Sequence, residues 1–205
     1  MRPRAALPPP ACVLVALLAV LLAACVPQPT REFDRYHLLE APGSPPKAAA
    51  ARASTLVVMT SATSFYETRA MVFSREPGTR AYYQYNRWAE PPSQRFGALL
   101  VARLQQSGAF RSVAGARSAV SGSVLLTVEL TEFYHDAAAP PGAARVAASA
   151  ELIDPARRAL LGRRVFEHSA PATAYDAGGA VQGFNAATAA LLDEIVAWVD
   201  ATAPR

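Results

Sequence analysis

Two hydrophobic periods run through this chain. From Ser123 to Phe133 the period is two, with Val124, Leu126, Val128 and Leu130 on one face and Thr127, Glu129 and Thr131 on the other. That alternation predicts a half-buried antiparallel strand. Arg145 to Ile153 repeats it with Val146, Ala148, Ala150 and Leu152 inward. Asp154-Pro155-Ala156-Arg157 then reads as a turn and Ala159 to His168 as the returning hairpin arm. Thr55 to Thr60, with Leu-Val-Val-Met at its centre, predicts a buried strand. Phe33 to Leu39 predicts a first strand with Tyr36 and Leu38 on one face, and Phe110 to Val113 a short one.

Thr68 to Trp88 predicts a hairpin. Ala70 to Ser74 leads into Glu76-Pro77-Gly78-Thr79, where Pro-Gly suits a type II turn. The return arm, Arg80 to Trp88, carries Tyr82, Tyr83, Tyr85 and Trp88. Aromatics on a pleated surface make cross-strand and core contacts first; a ligand-stacking platform is the alternative.

The period changes to helical after Pro91-Pro92-Ser93, since proline suits a first helical turn. Phe96, Leu99, Leu100 and Leu104 share one face, with Arg95, Arg103 and Gln106 elsewhere, and Gly108 is a natural left-handed cap. Val181 to Thr202 predicts a second amphipathic helix burying Phe184, Thr188, Leu191, Leu192, Ile195, Trp198 and Val199. Ala41 to Ala53 and Tyr175 to Gly179 read as loops. Strands and helices in blocks imply a single α+β domain: a mixed, mostly antiparallel sheet with two amphipathic helices packed on one face.

The N-terminal pattern differs in kind. Arg2 and Arg4 form a short positive region, and Ala11 to Ala24 is an apolar run of signal-peptide length, too short to span a bilayer. It ends in Leu22-Ala23-Ala24-Cys25, which reads as a lipobox. An uncleaved anchor and a plain secretory signal, with Cys25 incidental, are the competing readings; the four-residue pattern at the end of such a run favours lipid processing. Residues 1–24 are then a lipoprotein signal peptide. Cys25 carries diacylglycerol on sulfur and an acyl chain on its amino group, 25–32 is a short tether, and 33–202 is the domain. No other cofactor is implied.

Composition changes little after that. Cleavage leaves 181 of 205 residues, enough for one core, and lowers the net charge from +4 to +2. That balance does not argue for nucleic acid. Cys12 leaves with the signal, so the mature chain keeps one cysteine and forms no internal disulfide.

Catalytic patterns are missing: there is no G-x-S-x-G elbow, H-E-x-x-H, phosphate loop or paired-cysteine metal site. Gly178 and Gly179 precede a helix, but the lysine of a phosphate loop is missing and a flexible helix entry explains them. Glu132, His135 and Asp136 cluster, yet alternation puts Glu132 and Asp136 on one face and His135 on the other. Arg157, Arg158, Arg163 and Arg164 read as a solvated sheet edge, with anionic lipid contact as the alternative. The expectation is a protein that is not an enzyme and holds no metal.

The order Tyr36-x-Leu38, hairpin, Trp88 and a helix from Pro91 to Gln106 resembles the ABC-type transport auxiliary lipoprotein family, which accompanies MCE-type lipid transporters. The local match runs through Ser64 to Phe73 and Tyr82 to Pro92, and the likeness spans Tyr36 to Val199. The resemblance implies a non-enzymatic, membrane-anchored docking or scaffold subunit of a system moving lipids or other hydrophobic compounds across a bacterial envelope. Its implied partners are an MCE-domain protein, an ABC permease and its ATPase, and it allows a homo-oligomer. Cys25 is the expected lipidation site. Met71, Tyr83, Tyr85 and Trp88 are the expected partner or lipid contacts. A lipid-binding carrier and an assembly lipoprotein of another outer-membrane machine are the competing functions. Val26, not Asp, follows Cys25, which favours the outer over the inner membrane.

Overall fold

The strand with the clearest alternation is also the one on which the sheet is built. The computed structural model describes residues 32–39, 47–48, 51–116 and 118–204. In chain order these hold β1 (Asp34–Tyr36), β2 (Arg52–Ala62), a 3₁₀ turn (Ser64–Tyr66), β3 (Ala70–Ser74) and β4 (Ala81–Trp88). Helix α1 (Pro92–Ser107) leads to β5 (Phe110–Gly115), β6 (Val124–Asp136), β7 (Ala143–Asp154), β8 (Ala159–Pro171) and helix α2 (Ala177–Thr202).

Along one edge β6 pairs antiparallel with β7, from Leu125 opposite Ile153 to Asp136 opposite Ala143. Two strands share its other edge. β2 runs parallel to it from Leu56 opposite Val124 to Ala62 opposite Leu130, and β3 takes over in parallel at Phe73 opposite His135. The hand-over coincides with a register shift against β7 between Leu130 and Glu132, which leaves Thr131 as an extra residue. One added residue inverts which side chains face inward, because strand period is two. Val124, Leu126, Val128 and Leu130 are buried before the shift; Phe133 and His135 are buried after it.

β8 extends the sheet antiparallel beyond β7, β5 lies parallel beyond β2, β4 returns antiparallel beside β3, and β1 is parallel to β4. The eight-stranded sheet is mixed, with its longest ladders antiparallel. Parallel neighbours need long connections, and the chain between β2 and its parallel neighbour β5 runs through β3, β4 and α1.

Both helices pack against the sheet, α1 on β2 and β5, α2 on β7 and β8, and they touch each other. Phe96, Leu99, Leu100 and Leu104 of α1 are buried, and Gly108 closes the helix at φ +70° with its N–H on the Gln105 carbonyl (3.2 Å). Leu191, Ile195 and Val199 of α2 meet Leu126, Leu130 and Leu152 of the sheet in one core, each without exposed surface. Burial of each such leucine contributes about 1.5–3 kcal/mol.

The structure corrects the sequence reading at several places. β1 has three residues, fewer than Phe33 to Leu39 would give, although Leu38 is buried as expected. β2 is longer than Thr55 to Thr60, and β6 and β8 run past their expected ends. Arg103 was expected off the buried face of α1; it is 2% exposed and pairs with Asp193 of α2. A long guanidinium between two helices is tolerated because a carboxylate neutralises it. α2 begins at Ala177, not Val181, because the Asp176 carboxylate accepts the Gly179 N–H (2.7 Å) and caps the helix. Most of the expected loop from Ala41 to Ala53, and Cys25 with its lipobox, lie outside the described residues. Residues 33–205 form one compact unit, and no described helix is long and apolar enough to cross a membrane.

Candidate functional site

The register shift in β6 has a chemical consequence, since it turns His135 toward the interior beside the β3–β4 hairpin. His135 has no exposed surface. Its Nε2 lies 3.1 Å from the Pro141 carbonyl and its Nδ1 lies 2.7 Å from the Tyr83 hydroxyl. A backbone carbonyl can only accept, so Nε2 carries the proton and donates; Nδ1 is bare and accepts from Tyr83. Burial pushes the His135 imidazole below its ordinary value, against the opposing pull of the Pro141 carbonyl, Asp136 and Asp176. Burial, with Asp176 and Tyr175 nearby, pushes the Tyr83 phenol up to about 12. Both rings are therefore neutral at pH 7, as the bond between them requires.

Gly142 makes room for this pair. Its φ is +81°, and a β-carbon there would sit 2.3 Å from His135 Nε2 and 2.4 Å from the Asp136 carbonyl. Only glycine meets both demands.

Other rings complete the surround. Phe73 packs 4.9 Å from Tyr83, centroid to centroid, and Tyr175 meets His135 edge-on at 6.2 Å. The Tyr175 hydroxyl donates to the Ala137 carbonyl (2.6 Å), which fixes the segment before α2 against the β6–β7 connection. Arg75 lies 5.1 Å over the Phe73 ring. Together with Tyr82 and Gln84 these residues line a groove of about 320 Å³. A larger groove of about 670 Å³ runs between α1 and β2. It is lined largely by small residues, among them Gly97, Ala98, Gly115 and Ala116, and brings together no comparable set of interacting rings.

The four expected contact residues separate. Met71 and Trp88 are 1% and 3% exposed and pack in the core. Trp88 packs on Phe133 (5.4 Å) and Phe184 (5.3 Å), because the end of β4 turns it under α2. Tyr83 is half-buried and engaged with His135. Tyr85 is exposed. Sequence reasoning missed Phe73 and Tyr175, and His135 as a partner of Tyr83. The available signal was the lost alternation after Leu130, where Phe133 and His135 keep period two only if the parity shifts.

Of the Glu132, His135 and Asp136 cluster, Glu132 pairs with Arg80 (3.7 Å), Asp136 pairs with Arg145 (3.3 Å), and His135 points inward. Gly179 serves close packing, since a β-carbon there would meet Ala174 N at 2.3 Å. Arg157 pairs with Asp154 (2.9 Å), Arg163 with Glu151 and Arg164 with Glu194, so these three arginines stand in local ion pairs on the hairpin and against α2.

Residues 36–196 match the family model described as ABC-type transport auxiliary lipoprotein component. No curated protein is significantly similar to the chain in sequence. Among solved structures, protein XCC0632 from Xanthomonas campestris shares the fold with a TM-score of 0.74 and 21% identity, over 82% of this chain and 95% of that one. An uncharacterized protein aligns with a TM-score of 0.64 and 18% identity, over 82% of this chain and 99% of that one.

Proposed function

The chain belongs to the family of ABC-type transport auxiliary lipoprotein components, and from that premise we propose that it is the membrane-anchored docking subunit of a transport system that moves lipids or other hydrophobic compounds across a bacterial envelope. Cys25 carries the lipid, the domain from Phe33 onward faces the periplasm, and the β3–β4 hairpin with its aromatic groove is the element that contacts partner or lipid. The partners are an MCE-domain protein with its permease and ATPase, and the role is non-enzymatic. The observation that carries this reading is the lipobox cysteine eleven residues before the start of the match to this family. Val26 after Cys25 supports the outer membrane.

Affinity purification of the tagged protein from solubilised envelopes tests the reading. Recovery of an MCE-domain protein with its permease and ATPase is the expected result, together with loss of transport in a Cys25→Ser strain. Recovery of a secretion or lipopolysaccharide-insertion machine in their place would move the protein to another system. Stoichiometric co-purified lipid would make it a carrier.

A further inference from the structure

Strand direction reveals where the tether enters the fold. β1 is parallel to β4, with Asp34 opposite Asn86 and Tyr36 opposite Trp88. β4 starts at Ala81, directly after the hairpin turn, so both strands run away from that turn. β1 starts opposite Asn86, and the described residues before it, Glu32 and Phe33, lie on its turn-facing side. The β6–β7 connection lies at the same end, because β3 and β6 leave the sheet in parallel at Ser74 and Asp136. So does the segment before α2, whose Ala172 N–H donates to the Gly142 carbonyl (3.0 Å). The Asp154–Arg158 turn and the C-terminus of α2 lie at the opposite end.

Exposed rings follow the same division. Phe33, Phe65, Tyr82, Tyr85 and Tyr175 are the exposed aromatics among the described residues, and they lie just before β1, in the 3₁₀ turn, on β4 and in the segment before α2. The other exposed large apolar side chains among the described residues, Leu39, Met59, Val120, Leu160 and Val165, are not aromatic. An exposed tyrosine ring suits the boundary between headgroups and hydrocarbon; Tyr175 presents its ring there while its hydroxyl is held by the Ala137 carbonyl. Charge does not favour this end. Arg80 and Arg145 are paired with Glu132 and Asp136, Arg75 and Arg87 lie over the rings of Phe73 and Phe33, and Glu76 and Asp176 add negative charge.

Reach sets the last condition. Seven residues, Val26 to Glu32, separate Cys25 from Phe33. Fully extended they span about 25 Å at about 3.3–3.6 Å per residue, so the end of the sheet they enter is held close to the bilayer.

We propose that the hairpin-turn end of the sheet is a membrane-contacting surface, with Tyr82, Tyr85 and Tyr175 in the headgroup layer of the bilayer that holds the Cys25 lipid. This rests on Cys25 being lipidated. The partner is the interfacial layer itself, recognised by aromatic rings and not by net charge, and the arginine-bearing Asp154–Arg158 turn points away from it.

Site-directed fluorescence on the full lipidated protein tests this. Its only mature cysteine is occupied by lipid, so Gln84→Cys at the turn end and Ala156→Cys at the opposite end each carry a single label. The protein is reconstituted in phosphatidylcholine vesicles containing brominated chains. The Gln84 label is expected to be quenched several-fold more than the Ala156 label. The difference should persist in about 1 M salt, where exposed charges are screened beyond about 3 Å, and shrink when Tyr82 and Tyr175 are both changed to Ser. Equal quenching at the two ends, stronger quenching at Ala156, or quenching that requires anionic lipid overturns the proposal while the lipoprotein reading stands. Mass spectrometry of the N-terminal peptide separates the two: an unmodified Cys25 in protein that does not float with vesicles removes both.

Discussion

The Tyr83 hydroxyl donates to Nδ1 of His135 over 2.7 Å, and this bond ties the hairpin to the inward-turned end of β6. Because the Pro141 carbonyl already takes the Nε2 proton, Nδ1 has one available role, as acceptor. Tyr83→Phe leaves that buried acceptor unmet. The expected cost is about 1–3 kcal/mol, read as a lower urea midpoint with an unchanged slope. A midpoint equal to the parent would mean that the bond contributes nothing to stability.

Acid should weaken the fold through the same residue. The folded-state value of His135 is held below 6.5 by burial, so the unfolded chain binds its proton at a higher pH than the folded one. The stability this group supports is present above about pH 6.5 and is lost as pH falls through the folded value. Asp136, Asp176, Tyr83 and Tyr175 are the titratable groups around the ring, and the carboxylates oppose the shift without cancelling it. Urea midpoints measured from pH 7.5 downward should drop below about pH 6.5, and His135→Gln should remove that part of the slope. A variant retaining the parent slope would assign it to other carboxylates.

Much of this fold is legible in the sequence because the informative patterns are local. The α1 stripe of Phe96, Leu99, Leu100 and Leu104, its Gly108 cap, and the alternation of β6 up to Leu130 each follow from neighbours a few residues apart. The candidate site was hidden for the opposite reason. Thr131 reads as another outward residue until its register against β7 is known, and only the shift brings His135 under Tyr83, 52 residues away. Arg103 misled similarly. Its helical position is polar by type, and the Asp193 carboxylate that permits its burial comes from α2. Met71 and Trp88 sit in the hairpin beside exposed tyrosines, and sequence does not separate ring from ring where the β3–β4 register is itself irregular.

Gly142 should resist substitution. At φ +81° any other residue is strained by about 1–2 kcal/mol, and an alanine β-carbon would also displace His135 Nε2 and the Asp136 carbonyl. Gly142→Ala is expected to lose about 2 kcal/mol or more in total. A lower melting temperature, with Tyr83 titrating closer to 10 by its tyrosinate absorbance, would report both the strain and the broken Tyr83–His135 bond. A melting temperature within error of the parent would contradict the steric account.

The Arg103–Asp193 pair between the helices should respond asymmetrically. Arg103 is 2% exposed and Asp193 is 41% exposed. Asp193→Ala strips a buried guanidinium of its carboxylate and should cost about 2–4 kcal/mol, toward the lower end of what broken buried pairs cost. Arg103→Met leaves a carboxylate that water can reach and fills similar volume, so about 1.5 kcal/mol or less is expected. Chemical denaturation of both variants reads the difference directly, and equal losses would mean that the guanidinium is not the strained partner.

Trp88 and Tyr85 lie on one strand three residues apart, and the structure assigns them different work. Trp88 is enclosed by Phe133 and Phe184, whose rings stack at 4.4 Å, so Trp88→Ala opens a cavity in the aromatic centre of the core. The expected loss is about 3–5 kcal/mol, a large share of the roughly 5–15 kcal/mol that holds an ordinary domain folded. Tyr85 is 37% exposed, and Tyr85→Ala should cost far less than Trp88→Ala, about 1 kcal/mol. Any functional defect in Tyr85→Ala then reports a contact made at the surface, whereas a defect in Trp88→Ala reports loss of the protein itself. Measuring steady-state level and melting temperature beside transport separates the two. A folded, abundant Trp88→Ala protein with impaired transport would return Trp88 to the contact surface.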